Sequence, residues 1–194
     1  MLKLNATGML SEYDGRKPDA LKIFDAGIIS VRLAGQICIQ RQDIFEYTGP
    51  VEVKVVKYNG RIRLLELVLK RIHALYKGSP FKSTNKIRSY QNTDDYRETG
   101  RRLSVIRDSS KPLEHQLRQS ILLGTGNCSE MAYVALALCQ KFKLNPLLLV
   151  YESKQGFTHV VCGVDVNGSR YILDPWANIL CEEKKFLGPC WHPN

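Results

Sequence analysis

Residues 158–176 read THVVCGVDVNGSRYILDPW. Two runs with a two-residue period, Thr158–Val166 and Arg170–Leu173, flank Asn167-Gly168, a strong signal for a tight hairpin. A two-residue turn fixes the register: Val166 opposite Ser169 puts Val161 opposite Asp174. Paired residues share a face of the sheet, and His159, two residues before Val161, lies on that face too. His159 is therefore diagonal to Asp174, at a Cβ separation of about 7–8 Å that an imidazole and a carboxylate span together. A four-residue loop keeps this parity, and a three-residue loop breaks it. Pro175 cannot donate to a central ladder, so Asp174 is expected at a strand end, on a rim.

Upstream, residues 126–142 read GNCSEMAYVALALCQKF. Asn127 is a good N-cap, which makes Cys128 the first helical residue, with a helix over Ser129–Lys143. Met131, Ala132, Val134, Ala135, Leu136, Ala137, Leu138, Cys139 and Phe142 make it apolar almost all round, as in a helix buried inside a domain. A thiol at such an N-terminus meets the positive end of the helix dipole and unpaired N–H groups, both of which favour the nucleophilic thiolate. The same N–H groups, Cys128's above all, are suited to an oxyanion, and Gly124 and Gly126 let a substrate backbone approach. Each residue also has an ordinary reading: an inert apolar cysteine, a satisfied core histidine, a turn-forming Asp-Pro. A cysteine at a helix start, a histidine on a strand and an aspartate at the next strand end are less easily explained together by chance. Cys139 and Cys162 are read as core residues.

The chain has 194 residues, enough for one domain or a domain with a small extension, and its 44% hydrophobic content supports a packed core. A net charge of +9 favours acidic surfaces. Zinc-finger spacing, an RNP motif and a basic heptad region are all missing, which argues against nucleic acid as partner. The six cysteines form no C-x-x-C pair, so no structural metal and no cofactor are expected. The N-terminus MLKLNATGML has no long apolar core and no 18-residue apolar run occurs, so neither a classical signal peptide nor a transmembrane segment is expected. Reduced thiols in a cytoplasmic protein are the simplest reading. Asn127-Cys128-Ser129 is formally a glycosylation sequon, and a glycan there would block the thiol.

Residues 1–20 read as a loose arm. Short β-like runs follow at Ile28–Leu33, Gln36–Gln40 and Val51–Tyr58, and Asn59-Gly60 closes the last. Arg61–Lys77 is amphipathic with helical spacing and stops at Gly78-Ser79-Pro80. Residues 79–111, polar and partly basic, read as a solvated loop with a short helix; the sharper alternative is a substrate-docking rim. Pro112–Leu123 is expected to be helical, with Ser110 as N-cap, and Gly124-Thr125-Gly126 breaks it. The residues after Trp176 read as a tail, with Trp191 able to pack back. The division expected is an N-terminal extension over 1–111 and a catalytic core over 112–194.

The ordered set resembles the transglutaminase-like and papain-like superfamily, including domains of bacterial effectors and toxins. The resemblance rests on Gly126-x-Cys128, Ala132, Ala135, Pro146, His159-Val160 and Asp174-Pro175-Trp176, and covers residues 113–180. It implies an α+β fold in which a buried helix carrying the cysteine packs on an antiparallel sheet carrying His and Asp. It implies a triad of Cys128, His159 and Asp174, with Gly126, Asn127 and Trp176 as expected contacts to substrate or oxyanion. The implied reaction is attack on an amide carbonyl of a protein substrate through an acyl-thioester, as protease, glutamine deamidase or transglutaminase. The chain would then be cytoplasmic or an effector delivered into a host cell, and its basic charge suits an acidic-surfaced substrate. Two features depart from the pattern: a short Cys-to-His interval, and no glutamine placed closely upstream of the cysteine (Gln119 is too far back), which leaves the second oxyanion donor open. The alternatives are a catalytically silent binding module on the same scaffold, or a basic surface adaptor using residues 82–111.

Overall fold

In the computed structural model Asn167 and Gly168 turn the chain with φ of 51° and 79°, the left-handed pair that a two-residue hairpin demands. The strands they join are Thr158–Val166 and Ser169–Asp174, antiparallel, with Val166 opposite Ser169 and Cys162 opposite Leu173. This is the register expected from the sequence. The structure describes residues 36–41, 60–76 and 93–186. The arm 1–20, the runs Ile28–Leu33 and Val51–Tyr58, the stop at Gly78-Ser79-Pro80 and Trp191 lie outside the described residues.

The described residues form a mixed α+β protein. Its elements are β1 (Gln36–Gln40), α1 (Gly60–Tyr76), α2 (Thr93–Ile106), α3 (Leu113–Leu123), α4 (Cys128–Lys141), β2 (Pro146–Glu152), β3 (Thr158–Val166), β4 (Ser169–Asp174) and β5 (Ile179–Glu182), followed by a 3-10 turn at Glu183–Lys185. The five strands form one sheet in the order β1-β2-β3-β4-β5. The expected antiparallel strands carrying His159 and Asp174 are present, within a sheet that is mixed as a whole. β2 to β5 pair antiparallel, whereas β1 runs parallel to β2, with Gln36 opposite Leu148. β1 enters from far upstream with helices intervening, and such a crossover permits a parallel neighbour that a hairpin cannot supply. The residues after Trp176 are not a simple tail either. Asn178, at φ 63°, turns the chain into β5, and Phe186 is 1% exposed.

The described chain divides into two compact units. One holds residues 36–41, 60–74 and 126–186; the other holds 75–76 and 93–125. The division sets α3 apart from α4, whereas the sequence reading joined them in a core over 112–194. In the first unit, Leu149, Tyr151, Val161, Ile172, Ile179 and Phe186 form a buried cluster on one face of the sheet. Gly163 belongs to that packing: a Cβ built on it would lie 2.9 Å from Leu149 Cδ1. α4 is buried from Met131 to Cys139 apart from Tyr133, and ends at Lys141, two residues earlier than expected, with Lys143 left-handed at φ 57° beyond it.

In the second unit, α2 replaces much of the expected loop. Thr99, Arg102, Leu103 and Ile106 are buried, the spacing of one helical face. Arg102 donates to Glu98 Oε1 at 2.7 Å and to the Leu123 carbonyl at 2.9 Å, so it serves a helix C-terminus rather than a basic rim. Gly124 closes α3 at φ 60°. Ser110 is not the cap of α3: its N–H is taken by Asp108 Oδ1 at 2.9 Å, and extended Pro112 occupies the N-cap. Among the described residues no single helix is long and apolar enough to cross a membrane.

Candidate active site

Asn127 is extended, with φ −92° and ψ −167°, and forms a reciprocal capping box with Glu130. Glu130 Oε2 accepts the Asn127 N–H at 2.8 Å, and the Met131 N–H closes the first turn on the Asn127 carbonyl at 3.2 Å. The sequence Asn-Cys-Ser-Glu thus starts the helix at Cys128. The box engages the third N–H of the helix and leaves those of Cys128 and Ser129 outside the ladder, at the positive end of the dipole. Cys128 is 9% exposed, whereas His159 and Asp174 are fully buried.

His159 and Asp174 meet as the register requires. His159 Nε2 donates to Asp174 Oδ2 at 2.6 Å, with both side chains at 0% exposure. Asp174 Oδ1 accepts the Ala177 N–H at 3.0 Å. One Asp174 oxygen thus shapes the turn to β5 and the other holds the imidazole. With Nε2 committed to Asp174, Nδ1 is the buried ring nitrogen that remains for a further partner, and Cys128 lies close enough to raise the basicity of the ring. Burial pulls the basicity of His159 down. The charge and hydrogen bond of Asp174, then those of Cys128, outweigh it and raise the group to about 10.

Two aromatic rings enclose the imidazole. Trp176 stands edge-on, with centroids 5.7 Å apart and planes at 65°. Phe186 lies nearly parallel, at 6.5 Å and 13°. The other cysteines differ from Cys128. Cys162 is fully buried, and its hydrogen-bonding neighbour Cys139 together with burial drives its thiol well upward. Cys181, on β5, is pushed up to about 12 by burial and then by the charge of Asp174.

Of the residues expected from sequence, Cys128, His159 and Asp174 come together. Asn127 is committed to the helix cap, so its backbone N–H points to Glu130 rather than to an oxyanion. Gly126 is buried immediately before the cap. Trp176, 6% exposed, covers the imidazole. Sequence reasoning missed Phe186, which sits in a segment read as tail. The signal for it was Asn178, a residue tolerant of positive φ, followed by the short run Ile179–Glu182. Among the described residues no group of three His, Cys, Asp or Glu side chains is placed to hold a metal. No family model, curated protein or solved structure matches this chain.

Proposed function

We propose that the chain is a cysteine-nucleophile enzyme, with a core of the transglutaminase-like or papain-like type, acting on amide carbonyls of a protein substrate. The observation that carries this reading is the buried 2.6 Å His159–Asp174 hydrogen bond, with Cys128, at the start of a buried helix, as a neighbour of the ring. His159, whose basicity Asp174 raises, is placed to take the proton of the Cys128 thiol as the sulfur becomes a nucleophile. The sulfur attacks the carbonyl carbon, and the oxyanion is met by the N–H of Cys128. As the intermediate collapses, His159 gives its proton to the departing amide nitrogen and a thioester remains. Water or an amine then adds to the thioester, its proton passes to His159, and sulfur leaves as thiolate. Water on a peptide bond gives proteolysis, water on glutamine gives deamidation, and an amine gives transamidation. The net charge of +9 suits docking onto an acidic protein surface. A cytoplasmic enzyme or an effector acting inside a host cell would meet such a substrate.

The 9% exposure of Cys128 is the one feature that also fits a silent scaffold. Alkylation with iodoacetamide, read by peptide mapping at pH 7, separates the two. An enzyme labels at Cys128 well ahead of exposed Cys38, and Cys128→Ala abolishes both this labelling and any acyl transfer to candidate partner proteins. Labelling of Cys128 no faster than Cys38, and unaffected by His159→Ala, would overturn the reading.

A further inference from the structure

We propose that Phe186, with Arg41 behind it, is the positioning device that fixes the plane of the His159 ring, an inference that rests on the triad reading above. A single hydrogen bond at Nε2 fixes one edge of an imidazole but leaves the ring free to pivot about that contact. The pivot matters, because Nδ1 must stay aimed at sulfur while Nε2 stays on Asp174. Trp176, edge-on at 65°, limits the ring from one direction. Phe186, parallel within 13° at 6.5 Å, provides the flat surface that selects one plane.

Phe186 is in turn held from a distant part of the chain. It follows the 3-10 turn Glu183–Lys185, and its N–H bonds to the Glu183 carbonyl at 3.0 Å. Its own carbonyl accepts from Arg41 Nη2 at 3.1 Å, across 145 residues. Arg41 is anchored where β1 ends: its N–H donates to the Glu152 carbonyl at 3.0 Å. Its guanidinium lies 6.0 Å above the Tyr151 ring, and Tyr151 packs on Phe186 with centroids at 5.3 Å. Arg41, Tyr151, Phe186 and His159 thus form one stack from the sheet edge to the imidazole. Tyr151 stands opposite His159 in the β2–β3 ladder, so the stack and the histidine share one face of the sheet. The charged and titratable groups around this assembly include Asp174 and Cys128 beside the imidazole, Cys181 near Asp174 with Lys185 acting on it, and Glu183, whose Oε1 accepts from Tyr151 Oη at 3.4 Å and which pairs with Arg170 at 3.9 Å.

The test uses the full chain with ¹⁵N-labelled histidine, the His159 signals being assigned by their loss in His159→Gln. Phe186→Leu keeps apolar bulk and removes the flat ring. Arg41→Ala removes the anchor, and Arg41→Lys keeps a donor for the Phe186 carbonyl. Expected is a shift or broadening of the His159 Nε2–H resonance in Phe186→Leu and Arg41→Ala. The Cys128 alkylation rate at pH 7 should fall about tenfold, with the pH profile displaced. Arg41→Lys should restore most of both. Unchanged His159 signals in folded Phe186→Leu or Arg41→Ala would overturn the proposal. Should Phe186→Leu fail to fold, the Arg41 pair decides alone. The nitrogen spectrum does not require a reactive sulfur. A sluggish wild-type thiol beside a His159 signal that moves in the variants refutes the acyl chemistry and keeps the clamp. A reactive thiol beside a signal that does not move refutes the clamp and keeps the chemistry.

Discussion

Cys128 and Cys139 stand on the same helix and live in different chemistry. Cys139 sits in the last turn of the helix at 0% exposure, with Cys162 as its hydrogen-bonding neighbour. Cys128 starts the helix, is 9% exposed, and neighbours an imidazole whose basicity a buried aspartate raises. Residue type and helix are held constant between them. What differs is the end of the helix on which each stands and the β3 residue each meets, His159 or Cys162.

The largest expected effect breaks the difference from the histidine side. Asp174→Asn keeps the shape and leaves an amide oxygen for the Ala177 N–H, but removes the charge that outweighs burial at His159. His159 should then fall well below its raised value, since desolvation is the largest influence left on it. Cys128 alkylation near neutral pH should drop by roughly 10²-fold or more, by analogy with triad carboxylate-to-amide changes. Cys139 should be unaffected, because its neighbour is Cys162. A Cys128 rate in Asp174→Asn equal to wild type would show that the two thiols differ for reasons unrelated to the triad.

The meeting of His159 with Asp174 was legible because tight-turn chemistry converts sequence into register. Asn167-Gly168 admits few conformations, so the parity of His159 and Asp174 followed from it before any coordinates. The helix start was legible for the same reason, Asn127 and Glu130 being a local device. Contacts spanning long loops were not legible. β1 adds to the sheet parallel from over a hundred residues upstream, and nothing in Gln36–Gln40 announces its partner. Arg41 reaching the Phe186 carbonyl is a pairing of the same kind. α2 was hidden by its composition: its buried face includes Thr99 and Arg102, polar residues whose burial depends on partners at Asp95, Glu98 and Leu123. A hydrophobic pattern cannot reveal a face built from satisfied polar groups.

A second expectation concerns stability. His159 is raised in the folded chain from about 6.5 to about 10, so the folded state holds its proton more tightly than the unfolded one. The resulting stabilisation is complete below about pH 6.5 and is lost as pH climbs towards 10. Urea midpoints of wild type should therefore decline between pH 6.5 and 9, and His159→Gln should be flatter over that window. Above about pH 9 both proteins should fall together, because Cys162 and Cys181 ionise more readily unfolded than buried. Parallel curves for the two proteins below pH 9 would mean that the imidazole is not held charged by the fold.

The smallest effect tests whether the helix start is a property of the cap or of the site. Glu130 is 8% exposed, and its carboxylate takes the Asn127 N–H. Glu130→Ala removes one half of the box and should lower stability by about 1 kcal/mol, the usual scale for a helix cap. The loss frays the first turn, where Cys128 sits, and leaves the turn around Cys139 intact. Hydrogen exchange should therefore quicken at Ser129, Glu130 and Met131 but not at Leu138 and Cys139. Alkylation is the informative companion measurement. A frayed first turn exposes the sulfur yet weakens the dipole and the N–H groups around it, so the two effects oppose each other. A slower Cys128 in Glu130→Ala, despite greater exposure, would mean that the helix end contributes to reactivity as an electrostatic group. A faster one would mean that burial was the only restraint, and the contrast between the two thiols would reduce to access.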